Sequence, residues 1–240
     1  MSGIVFIISA PSGSGKTTLT NRLMQLVSGL EFSISYTTRK PRGSEVSGRE
    51  YFFVQRPEFE AMLRRGEFLE HANVFGEYYG TAKRFLHDAR TGGRDLVLDI
   101  DVQGAAQVKQ QLPEAVSIFI LPPSRQELEK RLRERSQSER VKSEEVIQRR
   151  LQAARKEIEN YEKYDYIVVN DRLEDSIDKL KAIVAAERQR RSGTKPSDAG
   201  TEYREAESCR LQNVRTDAER ILSSFAPTAT PAVKDEVKVP

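Results

Sequence analysis

Ala10-Pro11-Ser12-Gly13-Ser14-Gly15-Lys16-Thr17 decides how the rest of the chain is read. It lies between an apolar, β-branched run at residues 3–9 and a stretch of helical character at residues 16–27, which is where a phosphate-binding loop stands in a strand–loop–helix unit. Gly13 and Gly15 permit backbone angles that turn consecutive N–H groups inward, and the start of the following helix adds partial positive charge beneath a bound anion. Lys16 is placed to bridge the β- and γ-phosphates of a bound nucleotide, and Thr17 to offer its hydroxyl to Mg2+. The first glycine of the usual pattern is Ala10 here, so the turn carries a Cβ while the amide cradle is unchanged. A Gly/Ser-rich turn that merely precedes a lysine is the plain alternative, and the flanking strand and helix argue against it. The loop alone does not separate kinases from GTPases, ATPases or motor domains.

Further apolar runs occur at residues 95–100, 116–121 and 166–170, each followed by a segment with helical character. Strands that alternate with helices and are apolar throughout imply a parallel sheet covered on both faces, a doubly wound α/β core. Its pieces are residues 1–31, 94–123 and 162–191. Between them, residues 32–93 are short polar stretches carrying Tyr51, Phe52, Phe53, Tyr78 and Tyr79 around a single short helix near 57–65, and read as an inserted subdomain of mixed α and β structure. Residues 124–161 are strongly helical, with a polar and charged interruption at 136–143, as expected of a mobile helical lid. Residues 192–200 read as a linker, 202–225 as one amphipathic helix, and 226–240 as a disordered end.

Composition narrows the class. Hydrophobic residues make up 38% and charged residues 31% of 240, which suits a soluble protein with a densely charged surface. Thirty-nine Lys and Arg against 36 Asp and Glu leave a formal charge of +3, too small to indicate nucleic-acid binding. The basic residues of 128–161 are interleaved with acids and lack an aromatic platform, so they read mostly as a solvated face. Cys209 has no second cysteine to pair with, and the reading favours a reducing cytoplasm. The apolar run near the N-terminus is too short for a membrane span and lacks a basic flank. Assembly into a homo-oligomer is left open.

What receives the phosphoryl group is written further along. A monophosphate acceptor carries about two negative charges, and guanidinium groups backed by hydroxyls would fix it in line with a donor. Arg39 and Arg42 flank Pro41, which stiffens their turn, and Tyr51 and Tyr79 are available to donate phenolic hydrogen bonds to the same phosphate. Asp99 and Asp101 fall at the carboxyl end of a central strand, where open α/β sheets bind ligands, although either also suits a helix cap. Asp99 is a candidate for orienting Mg2+-bound water.

At these residues the chain resembles the guanylate kinase family: in 10–17, in Thr37-Thr38-Arg39-Lys40-Pro41-Arg42, in 48–53, in 70–81 and in Leu98-Asp99-Ile100-Asp101-Val102-Gln103-Gly104, with coverage from about residue 3 to 190. The resemblance implies a P-loop NTPase-type parallel sheet with flanking helices, an inserted GMP-binding subdomain and a helical lid. It implies that Arg39, Arg42, Tyr51 and Tyr79 hold the GMP phosphate while Ser35, Glu70, Thr81 and Asp101 read guanine. The chemistry agrees, because guanine presents N1–H and N2–H2 donors that carboxylates accept from, and an O6 that hydroxyls donate to. By the same resemblance Arg135 and Arg150 close over the transferring phosphates. Here the chain departs from the family's usual Arg-Gly-Arg-Gly, reading Arg133-Glu134-Arg135-Ser136, and Arg131 is a second candidate for that role. Two rival readings are a guanylate-kinase-like binding module without catalysis, against which Lys16 and Thr17 speak, and a sugar-phosphate kinase, which has no use for a base-reading Glu70.

Overall fold

Val5-Phe6-Ile7-Ile8-Ser9 is buried at all five positions, so this strand needs neighbours on both edges and cover on both faces. The computed structural model describes residues 3–74, 76–138, 144–193 and 200–226. In chain order its elements are β1 (Val5–Ser9), α1 (Lys16–Leu26), β2 (Leu30–Phe32), β3 (Tyr36–Thr37), β4 (Phe52–Phe53), α2 (Arg56–Arg64), β5 (Phe68–Val74), β6 (Glu77–Ala82), α3 (Lys83–Thr91) and β7 (Asp95–Asp99). There follow α4 (Val102–Gln111), β8 (Val116–Leu121), α5 (Arg125–Ser138), α6 (Glu144–Ile158), a 3-10 turn (Tyr161–Lys163), β9 (Tyr166–Val169), α7 (Leu173–Arg191), α8 (Thr201–Ser208) and α9 (Leu211–Ser224).

Five strands form a parallel sheet in the order β2-β7-β1-β8-β9, with Ile7 opposite Leu98 on one side and Ser117 on the other. Alternate residues of each strand feed different layers. Val5, Ile7, Leu96, Leu98, Phe119 and Leu121 face a layer that takes Val108 from α4, Leu128 and Leu132 from α5, Leu151 from α6 and Ile221 from α9. Ile4, Phe6, Ile8, Val97, Ile118 and Ile120 face Leu19 and Leu23 of α1, Leu180 and Ile183 of α7 and Ala206 of α8. Sequence order therefore puts β1 in the centre, and the loop that leaves it opens at the carboxyl edge of the sheet beside the ends of β7 and β8.

The chain between β2 and β7 builds a second sheet, β4-β3-β6-β5, with β3 parallel to β4 and β5 antiparallel to β6. A register shift between Phe68 and Glu70 sets Glu70 opposite Thr81 on β6. Phe59 of α2 is the centre of its small core, stacked on Phe68 at 4.4 Å and on Tyr78 at 5.4 Å between ring centroids. The sequence suggests one helix in this region and the structure contains two. The additional helix, α3, buries only Ala89 and packs Phe85 and Leu86 partly, so its apolar signal is faint beside its basic and polar residues.

The tail also differs from expectation. Where one helix over 202–225 is expected, α8 and α9 are separated at Cys209 and Arg210, because the backbone there serves the edge of the sheet. Ile167 N–H donates to Cys209 O at 2.8 Å, and Leu211 N–H donates to Asp165 O at 3.3 Å. Ile167 N–H of β9 and Asp165 O just before it are satisfied at the price of a helix break. Of the polar interruption expected at 136–143, residues 136–138 continue α5, while 139–143, together with 194–199 of the expected linker and 227–240 of the expected disordered end, lie outside the described residues.

Candidate active site

The loop after β1 closes with a turn in which Ser14 N–H donates to Pro11 O at 3.1 Å. Gly15 then takes φ of 90° to start α1, and a Cβ there would stand 2.4 Å from Asn170 Nδ2, so only glycine fits. Asn170, at the end of β9, donates Nδ2–H to Ser14 O at 2.7 Å and fixes the loop from below. Lys16 Nζ forms an ion pair with Asp99 Oδ1 and donates to Ile100 O at 3.3 Å. Both contacts come from the carboxyl end of β7, and they aim the ammonium into the cleft above the loop amides.

That cleft has a volume of about 560 Å3, enough for nucleotide-sized ligands. Ala10, Pro11, Ser12, Gly13, Gly15, Lys16 and Thr17 form one end, while Ser35, Arg42, Tyr51, Glu70 and Tyr79 of the inserted sheet form another. Asp99 and Asp101 lie between, and Arg131, Arg135 and Arg150 close the side belonging to α5 and α6. The remaining expected residues stand behind the wall. Ser14 is buried in the loop. Arg39 is clamped by Glu45 at 2.9 and 3.0 Å and lies 5.4 Å from the Tyr51 ring centroid, so it braces the tyrosine and adds positive charge near Tyr79. The Arg39 guanidinium in turn holds the Glu45 carboxyl below the usual range. Thr81 is fully buried and shares a 3.3 Å hydrogen bond with Ser35 Oγ.

Electrostatics distinguish the two ends. Burial pushes the Tyr51 phenol up to about 12, and its approach to Asp99 adds to this, so it remains a hydrogen-bond donor. Glu70 is 3% exposed, and burial raises its carboxyl to about 7 against a hydrogen bond from Thr81 that lowers it. Asp101 caps α4, accepting from Gly104 N–H at 2.8 Å, so the cap reading and the cleft position hold together.

Three contributors escaped sequence reading. A Cβ on Gly104 would lie 2.5 Å from Glu70 Oε2, so the first turn of α4 must be glycine there for Glu70 to reach its place. Asn170 carries no local motif; its contact with the loop spans 156 residues of sequence. Glu157 of α6 lines the cleft, and only its i+7 spacing from Arg150 pointed to that face.

A P-loop with its lysine, sharing one cleft with Arg42, Tyr51 and Tyr79 of the inserted sheet, marks a P-loop phosphotransferase of the nucleoside monophosphate kinase class. The model of the guanylate kinase family matches residues 3–187. The guanylate kinase of Koribacter versatilis is 60% identical over 232 residues, covering 96% of this chain and 99% of that protein. That of Escherichia coli K12 is 48% identical over 195 residues, covering 80% and 92%. Among solved structures, guanylate kinase from Anaplasma phagocytophilum superposes with a TM-score of 0.64 at 36% identity, covering 78% of this chain and 86% of that one. The chain belongs to the guanylate kinase family.

Proposed function

We propose that the chain transfers the γ-phosphoryl group of ATP to GMP, giving ADP and GDP, with Mg2+ as cofactor and within the purine nucleotide metabolism of the cytoplasm. The observation that carries this is the single cleft in which Lys16 and Arg42 line the same space as Glu70 and Asp101. A phosphate oxygen of GMP attacks the γ-phosphorus, and the bond to the β–γ bridging oxygen breaks with its electron pair leaving on ADP. No protein nucleophile is required, so positioning and charge stabilisation supply the rate.

Residues 10–17 hold the β- and γ-phosphates, with Lys16 on the oxygens where charge accumulates. Arg42, Tyr51 and Tyr79 take the GMP phosphate, with Arg39 supporting Tyr51. Glu70 and Asp101 accept from N1–H and N2–H2 of guanine, and Ser35, set by Thr81, donates to O6. Adenine would leave both carboxylates without donors. Arg135 and Arg150, with Arg131 beside them, neutralise the equatorial oxygens from α5 and α6, the elements read as the lid.

Thr17 Oγ1 and the Asp99 carboxylate are hard oxygen donors at the phosphate end of the cleft, a set that fits an ion which keeps most of its shell as water and phosphate oxygens. Thr17 would hold Mg2+ directly and Asp99 through water, and the ion would offset charge on the bridging oxygens. Among the described residues no helix is long and apolar enough to cross a membrane. A coupled assay with ATP and GMP, AMP or ribose 5-phosphate as acceptor tests the reading. GMP should be preferred over AMP by about a hundredfold or more in kcat/KM, as buried polar groups left unpaired require; equal use of a sugar phosphate would overturn it.

A further inference from the structure

Arg150, Ala153, Ala154 and Glu157 follow the i, i+3, i+4, i+7 spacing of one helix face, and all four line the cleft. The mechanism above employs Arg150, and the alanines leave room. Glu157 has no part in it, although a carboxyl on a cleft wall costs desolvation unless something there uses it. Burial, followed by the charge of Asp101, pushes it up to about 7, with Lys16 acting in the opposite direction. Glu70 feels the same two neighbours. Glu70 comes from β5 of the inserted sheet and Glu157 from α6, so Asp101 is approached by carboxyls from two different walls of one cavity.

Guanine's chemistry orders such a row. N1–H and N2–H2 form the edge that Glu70 and Asp101 face, and the 2-amino group is shared with the neighbouring edge, along which the next donor is the ribose 2′-hydroxyl. A carboxylate that enters the cleft near Asp101 from α6, a wall other than that of Glu70, is available to that hydroxyl. We propose that Glu157 accepts a hydrogen bond from the 2′-hydroxyl of the acceptor nucleotide and is a specificity residue favouring GMP over 2′-deoxy-GMP. The inference rests on Glu70 and Asp101 being the guanine-facing pair.

The experiment measures kcat/KM for GMP and for 2′-deoxy-GMP on wild type, Glu157→Leu and Glu157→Gln, with Glu70→Gln as control. Glu157→Leu should lose about tenfold on GMP with the deoxy substrate unchanged, a loss typical of a hydrogen bond to a charged group. Glu157→Gln keeps an acceptor oxygen and should retain most of the preference, and it carries the test if the Leu variant fails to fold: its ratio of GMP to 2′-deoxy-GMP must then still fall measurably, because the charge is gone. Equal losses on both substrates would mark a merely structural role, and no change in the ratio for either variant would equally overturn the proposal. A Glu70→Gln enzyme whose kcat/KM for GMP is unchanged would instead sink the base-facing pair while leaving the ribose comparison interpretable.

Discussion

Glu70 meets low dielectric before any nucleotide reaches it, since the bulge in β5 turns it inward against the glycine turn of α4. Its carboxyl is raised to about 7, and Asp101, Thr81 and Lys16 share its surroundings. Under the proposed assignment guanine's N–H donors require the carboxylate, so below about pH 7 GMP would have to expel a proton on binding. Its affinity should then fall by up to about tenfold per pH unit on acidification. Titration calorimetry across that range reads the slope; because Glu157 ionises near the same pH, Glu70→Gln should flatten the curve in part while weakening GMP overall. A pH-independent affinity in wild type would contradict the assignment. The sign for stability is opposite. A carboxyl raised in the folded state binds more protons folded than unfolded, so its contribution declines as pH rises from the ordinary carboxylate value through about 7.

Between elements, Asn170 is the joint. Its backbone N–H donates to Leu121 O at 2.8 Å, its amide to Ser14 O at 2.7 Å, and its carbonyl accepts from Arg131 at 3.1 Å, tying β8, the phosphate loop and α5 to one residue. Asn170→Ala should leave a buried carbonyl unsatisfied, at about 1–3 kcal/mol of stability. It should also raise KM for ATP with little change for GMP, and thermal melts with steady-state kinetics check both; an unchanged KM for ATP would dissociate the joint from donor binding. Such long-range contacts explain what the sequence yields and what it hides. β1, β7, β8 and β9 were legible because each is a continuous apolar run bounded by polar residues, and the phosphate loop because strand, glycines, lysine and helix are contiguous. Helix α3 was missed since only Ala89 of it is buried, and the break between α8 and α9 because it answers to the edge of β9. Ser35, Arg42, Tyr51, Glu70 and Tyr79 were named from local spacing and from a family resemblance, and they do line one cleft; Gly104, Asn170 and Glu157 matter only through partners distant in the chain.

Across the molecule, the parallel core contributes Lys16, Asp99 and Asp101, the inserted sheet contributes Arg42, Tyr51 and Tyr79, and α5 and α6 contribute Arg131, Arg135 and Arg150. Under the proposed function the cations would serve the two phosphate groups, and Glu70 and Asp101 the base. The tail helices support this arrangement from outside: Arg125 N–H donates to Ser224 Oγ at 3.1 Å at the start of α5, and Ile221 and Phe225 join the core beneath α5 and α6. The proposed function depends on a donor site and an acceptor site that are distinct yet share one cavity. Calorimetric affinities of GMP and of ATP for Arg42→Ala, beside wild type, test this most directly. GMP should weaken by about 1.5–3 kcal/mol, the loss of a charge-assisted contact, with ATP essentially unchanged; equal weakening of both nucleotides, or of neither, would contradict it.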